Sequence, residues 1–209
     1  MNFDDAIATC PIVAILRGLT PESAIEVVDI LFDAGIRAVE VPLNSPEPIK
    51  SIEAIARKFG GSMLVGAGTV LTSEHVAQIA DVGGRLIVSP NVDPSVIQEA
   101  VTRGLFCAPG FATATEAFLA LKNGAQALKL FPAATYGLAH IQALSAVLPS
   151  KTKILAVGGV TASTMAPWLD AGVAGFGLGS ELFKPGFSEA EIASRARACV
   201  EAARVAVDR

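Results

Sequence analysis

The sequence predicts an α/β protein, a single (β/α)8 TIM barrel with an extra N-terminal helix, covering residues 1–209 as one domain. Three observations carry that prediction. Eight short apolar runs alternate with helical patterns, their starts fall 19–29 residues apart, and glycine precedes most of them. That spacing is the length of one strand-plus-helix unit. Eight similar units in one small chain favour closure over the alternative, a doubly wound open sheet.

The strands are expected at Ile12–Leu16, Ala38–Val41, Met63–Ala67, Leu86–Ser89, Leu105–Ala108, Ala125–Leu130, Ile154–Val157 and Ala174–Leu178. A helix over residues 3–9 is expected to plug the bottom of the barrel. Gly35, Gly60-Gly61, Gly83-Gly84, Gly104, Gly124 and Gly172 stand where helices should end, before the next strand. Helix starts are marked as well. Thr113-Ala114-Thr115-Glu116 and Ser188-Glu189-Ala190-Glu191 read as capping boxes, and Thr20-Pro21 and Asp93-Pro94 place proline at the first helical position.

Composition narrows the class. Hydrophobic residues make up 52% and charged residues 17%, so the chain can build a large core. A net charge of −4 without a basic cluster argues against nucleic acid as a partner. No apolar run reaches the ~18 residues of a membrane span, and the acidic start Met1-Asn2-Phe3-Asp4-Asp5 is unlike a signal peptide. Cys10, Cys107 and Cys199 are scattered and odd in number, which reads as reduced thiols in the cytoplasm.

A barrel carries its chemistry on the C-terminal ends of its strands. The polar residues and glycines collected there are Arg17, Glu40, Asn44, Thr69, Ser89, Lys129, Gly158-Gly159 and Gly179-Ser180. Lys129 lies in Ala125-Gln126-Ala127-Leu128-Lys129-Leu130-Phe131, an apolar strand where an ammonium is hard to hydrate. Burial favours the neutral amine, a nucleophile for carbonyl carbon; the bland alternative is a lysine whose head snorkels to water. Alternation puts Lys129 on a face with Ala127 and Ala125, and Glu40 on a face with Ala38 and Ile36. The bulkier opposite faces should meet the helices, so acid and amine point into one interior. Glu40 is then a proton carrier, or else a buried ion-pair partner of Lys129 or Arg17. The glycine-rich ends Val157-Gly158-Gly159-Val160 and Gly175-Phe176-Gly177-Leu178-Gly179-Ser180 point to a phosphate ester, held by backbone amides and a helix start capped by Ser180. His75 and His140 fall on helices in no metal-binding motif and read as solvated surface residues. Tyr136 and Trp168 read as packing.

Several of these segments together resemble the KDPG/KHG aldolases. They are Leu16-Arg17-Gly18, Val39-Glu40-Val41-Pro42-Leu43-Asn44-Ser45-Pro46, Gly66-Ala67-Gly68-Thr69, Ser89-Pro90-Asn91, Pro109-Gly110, Leu128-Lys129-Leu130-Phe131-Pro132, Val157-Gly158-Gly159 and Gly179-Ser180. The match runs in order along nearly the whole chain. It implies a metal-free, cofactor-free class I aldolase, usually a homotrimer, that cleaves phosphorylated 2-keto-3-deoxy sugar acids to pyruvate and an aldehyde. By the same resemblance Lys129 forms the Schiff base, Glu40 transfers protons and Thr69 contacts the pyruvate carboxylate. Gly158, Gly159, Gly179 and Ser180 hold the phosphate. Gluconate-type members carry Thr-Leu-Arg where this chain has Pro42-Leu43-Asn44, and threonine where it has Val157, so the resemblance is closer to the galactonate branch. Arg17, on the neighbouring strand, is the candidate substitute for the missing arginine. A phosphosugar isomerase without a covalent lysine, and a non-catalytic phosphometabolite sensor, are the rival readings.

Overall fold

The structure, a computed structural model, describes residues 1–207. The chain runs α1 (Phe3–Thr9), β1 (Ile12–Ile15), α2 (Pro21–Asp33), β2 (Ala38–Pro42), α3 (Pro48–Phe59), β3 (Leu64–Gly68), α4 (Ser73–Asp81), β4 (Leu86–Val88) and α5 (Pro94–Thr102). It continues with β5 (Phe106–Ala108), β6 (Gly110–Phe111), α6 (Ala114–Lys122), β7 (Leu128–Leu130), α7 (Ala133–Ser145), β8 (Ile154–Val157), a 3₁₀ turn (Ala162–Thr164), α8 (Met165–Asp170), β9 (Gly175–Leu178) and α9 (Glu189–Val207).

All strand pairs are parallel, in the order β5-β4-β3-β2-β1-β9-β8-β7-β6. The list begins and ends on β5 and β6, which only Pro109 separates. Proline has no N–H for the ladder, so the expected fifth strand ends as β5 before it, and the short β6 beyond it is a piece that the sequence pattern does not mark. The carbonyls of this stretch still serve the neighbour: the amide of Lys129 donates to Pro109 O at 2.9 Å and that of Gln126 to Cys107 O at 3.2 Å. The barrel therefore closes with eight strand units, the fifth of them bent.

Two apolar clusters divide the core by face. Val39, Val41, Leu128 and Leu130 join the outer cluster beneath the helices, while Ala38 and Ala127 join Val13, Leu64, Leu86, Leu155 and Val157 inside the barrel. The expected alternation thus holds on β2 and β7. Ile36 and Ala125 are exceptions, since both lie in the outer cluster. They lie two and three residues before the first strand residues, Ala38 and Leu128, where the period of two no longer extends. The interior is closed from below by α1, whose Phe3 and Ala6 enter the inner cluster; Phe3 stacks on Phe106 at 3.9 Å between centroids. Lys153 and Asp4 pair across this seam.

The helix signals behave as their chemistry demands. Thr113 and Glu116 form a reciprocal capping box, and Asp93 Oδ1 accepts from the amides of Ser95 and Val96 ahead of Pro94. At α9 only half of the expected box exists. Ser188 Oγ accepts from the Glu191 amide, but the Glu191 carboxylate is drawn to Arg195. Gly60 ends α3 as expected, its amide donating to Ala56 O, though it keeps right-handed helical angles at φ −57.

Candidate active site at the barrel mouth

Glu40 and Lys129 are buried polar residues on the inner face of the barrel, 2% and 8% exposed. Glycines make their space. In the strand register Glu40 lies beside Gly66 and Lys129 beside Gly110. A Cβ on Gly68 would stand 2.0 Å from Glu40 Oε2, so the second glycine of Gly66-Ala67-Gly68 is what lets the carboxylate sit where it does. The next residue, Thr69, takes φ 57, a left-handed conformation that a β-branched side chain adopts only when its surroundings enforce it.

Burial sets the electrostatics. Desolvation lowers the pKa of Lys129, opposed by the charge of Glu40 and reinforced by that of Arg17. Desolvation likewise raises Glu40 to about 7, offset in part by Lys129 and Arg17. Among the described residues, no ion pair within 4.0 Å joins either group to a partner, and Glu40 Oε2 is buried with no hydrogen-bond partner. The expected alternative of a structural ion pair is therefore not what the geometry shows. An amine pushed toward neutrality and an acid that half-ionises near neutral pH can attack a carbonyl and carry protons.

Above this pair opens a cavity of about 240 Å³ lined by Arg17, Val157, Gly158, Gly159, Gly179 and Ser180 among others. It brings into one space six of the nine residues to which the resemblance gave a catalytic or substrate-binding part. Lys129, Glu40 and Thr69 are not in its lining. Val157 and Phe131 connect the two levels: Val157 belongs to the inner cluster and lines the cavity, while Phe131 lines it and has Lys129 Nζ 5.0 Å from its ring centroid. Gly158 and Gly159 follow each other at φ +94 and +78. A Cβ on Gly159 would stand 2.4 Å from Ala134 Cβ. Successive bare amides in such a turn make an anion-accepting concavity.

Other expectations need correction. Ser180 does not cap a helix: Gly179 O accepts from the amides of Leu182 and Phe183 in a turn, and α9 starts only at Glu189. Ser89 is buried and its hydroxyl donates to Asn91 O at 2.7 Å, a turn-forming role rather than a place in the cavity. The histidines are not solvated surface residues. His140 is half-buried, with Nε2 2.7 Å from Ala112 O and its ring tilted against Tyr136, and the Nδ1 of half-buried His75 is sequestered without a partner. Among the described residues no three of His, Cys, Asp and Glu gather as a metal-ligand set. The residues that sequence reasoning passed over are Gly68 and Phe131. Both stood inside quoted motifs, but their roles depend on contacts across strands.

A family model described as KDPG and KHG aldolase matches residues 3–199. The chain is 52% identical over 197 residues to 2-dehydro-3-deoxy-6-phosphogalactonate aldolase of Escherichia coli K12, covering 94% of this chain and 96% of that protein. A solved structure described as native KDPGal superposes with a TM-score of 0.94 at 52% identity, covering 95% of this chain and 97% of that one. A second, at TM-score 0.94 and 51% identity, is a cube-shaped protein cage designed by fusing symmetric oligomeric domains; it covers 95% of this chain and 74% of its own.

The buried acid has a consequence for stability. With Glu40 raised from 4.5 to about 7, the folded protein keeps a proton between those values that the unfolded chain releases. Stability therefore falls as pH rises through that window, and above it the buried charge is carried in full. Glu40→Gln removes this cost. Relative to wild type, the variant should gain up to about 3 kcal/mol between pH 5 and pH 8, read from urea unfolding at both values. A pH-independent difference would show that the carboxyl is not desolvated in the folded state.

Proposed function

The chain belongs to the KDPG and KHG aldolase family, and on that premise we propose that it cleaves 2-dehydro-3-deoxy-6-phospho-D-galactonate to pyruvate and D-glyceraldehyde 3-phosphate through a Schiff base on Lys129. The observation that carries the mechanism is the amine itself, buried inside the barrel, lowered in pKa and beside a carboxyl raised to about 7.

The neutral Lys129 amine attacks the C2 ketone, and loss of water gives a protonated imine. Glu40, as carboxylate, accepts the C4 hydroxyl proton while the C3–C4 electron pair flows into the imine. Glyceraldehyde 3-phosphate leaves, and Lys129 carries the enamine of pyruvate. Glu40 returns the proton to C3, and hydrolysis frees pyruvate and the amine. A carboxyl with a pKa near the working pH suits both directions of that transfer. The imine supplies the electron sink, so the proposal needs no metal. Thr69 is assigned to the pyruvate carboxylate, and Gly158, Gly159, Gly179 and Ser180 to the phosphate, whose oxygens the exposed cavity amides can receive.

The galactonate assignment draws on the relative at 52% identity and on Val157. This side chain projects into the cavity level immediately above Lys129 and packs in the interior against Gly177, where a Cβ would meet Val157 Cγ2 at 2.7 Å. An apolar residue there offers no hydrogen bond to one configuration of the C4 hydroxyl. The proposal is completed by a cytoplasmic setting, in keeping with three buried free thiols, and by a homotrimer. The gluconate-type aldolase, with the opposite C4 configuration, is the second reading.

Treatment with pyruvate and borohydride should add one reduced pyruvyl group, on Lys129, located by peptide mass spectrometry. A label on another lysine, or none, would remove the Schiff-base mechanism and leave the isomerase or sensor readings.

Parallel assays of both C4 epimers should give the higher kcat/KM for the galactonate. Val157→Thr should move the ratio toward gluconate by about 0.5–1.5 kcal/mol, the net scale of one neutral hydrogen bond. A wild-type preference for gluconate would overturn the substrate assignment and spare the aldolase chemistry.

A further inference from the structure

We propose that Asn44 is a positioning residue that holds the Arg17 guanidinium over the cavity, where Arg17 binds the phosphate of the substrate rather than its carboxylate. This rests on the aldolase reading above and adds to it a residue with no role there.

Arg17 follows β1 and Asn44 follows β2, neighbouring strands whose register places Ile15 beside Glu40. At the mouth the two side chains meet: Arg17 Nη1 donates to Asn44 Oδ1 at 2.6 Å. The loops beneath them are tied as well. The Gly18 amide donates to the hydroxyl of buried Ser45 at 3.0 Å. On its other side Gly18, at φ +83, packs so closely on the β9 loop that a Cβ would stand 2.6 Å from Pro185 Cγ. The backbone under Arg17 is therefore held from both sides, and Asn44 fixes the end of the side chain.

The choice of partner matters chemically. A guanidinium has five N–H donors in a rigid fork, and one bond to Asn44 leaves the rest of the fork for an oxyanion. Asparagine orients the group without neutralising it, whereas a carboxylate at the same position would cancel its charge. Among the described residues no carboxylate lies within 4.0 Å of Arg17. Its full positive charge is felt in the interior, where it helps lower both Lys129 and Glu40.

Which anion it meets follows from the geometry of the substrate. The carboxylate is bonded to C2, the carbon that Lys129 attacks, so it must stay beside the buried amine. The phosphate sits at the far end of the six-carbon chain. Arg17 shares its 240 Å³ cavity with Gly158, Gly159, Gly179 and Ser180, and Lys129 is not in that lining. A second space of about 470 Å³, also bordered by Arg17, Gly179 and Ser180, adds Lys184 to the same rim. The guanidinium thus belongs to the anion end.

The test compares 2-dehydro-3-deoxy-6-phosphogalactonate with 2-dehydro-3-deoxygalactonate, the same acid without phosphate. In Asn44→Ala the ratio of their kcat/KM values should fall about tenfold, the scale of one hydrogen bond to a charged group, and the loss should lie in KM. In an Arg17→Ala background the same Asn44 change should cost nothing more. Asn44 is exposed, and Asn44→Ser, whose side chain is too short to reach Arg17, should repeat the result in case the alanine disturbs the loop. Equal losses for both substrates, an undiminished Asn44 effect without Arg17, or no loss at all would each overturn the proposal. Pyruvate labelling of wild-type Lys129 reads the aldolase premise separately, since pyruvate has no phosphate.

Discussion

An ammonium and a carboxylate confined together inside an apolar barrel, each too poorly solvated to keep its ordinary charge, set the terms for the rest of this molecule. Desolvation is the largest influence on both Lys129 and Glu40, and their mutual attraction only moderates it. Two such groups can be tolerated because the surrounding core is extensive and closed. Phe3 and Ala6 seal the bottom of the barrel, and alanine, valine and leucine fill the layer beneath the pair. The cost of holding them appears as a buried carboxylate oxygen with no partner. Groups kept in that condition are ready for a substrate that supplies what the protein withholds.

Small residues turn this constraint into a site. On β2 and β7 the inner face carries alanine beneath the functional side chain, and the bulky residues face the helices. Glycines lie in register beside both buried residues, and Gly68 leaves the room that the Glu40 carboxylate occupies. Higher up, Gly158 and Gly159 line the cavity at positive φ, a Cβ on Gly159 would strike Ala134, and Gly177 gives Val157 its place. The buried lysine and glutamate below and the glycine-lined cavity above are thus two levels of one interior, joined at Val157 and Phe131.

Much of this was legible in the sequence because it depends on period and punctuation. The eight strand units, the α1 plug and the inward face shared by Ala38 with Glu40 and Ala127 with Lys129 all follow from alternation and helix caps. What was not legible depends on contacts between distant segments. Pro109 ends β5 for want of an N–H, but the pairing of Gly110–Phe111 with β7 beyond it depends on a neighbouring strand that single-chain patterning does not reveal. The lone carboxylate of Glu191 chose Arg195 over its cap, and His140 found Ala112 O, through competition among neighbours. The Arg17–Asn44 bond, across residues far apart in the chain, is of the same kind. Strand-end position identified both residues but not their meeting.

The central claim is that the interior of the barrel deprives Lys129 of its charge. The most direct measurement is the titration of all seven lysines by NMR of protein labelled at lysine Cε, with the Lys129 signal identified by its loss in Lys129→Arg. The account predicts that Lys129 titrates well below the other six, and falls further in Glu40→Gln, where the opposing carboxylate is gone. If Lys129 titrated together with the surface lysines, the burial argument and the nucleophile built on it would both be contradicted.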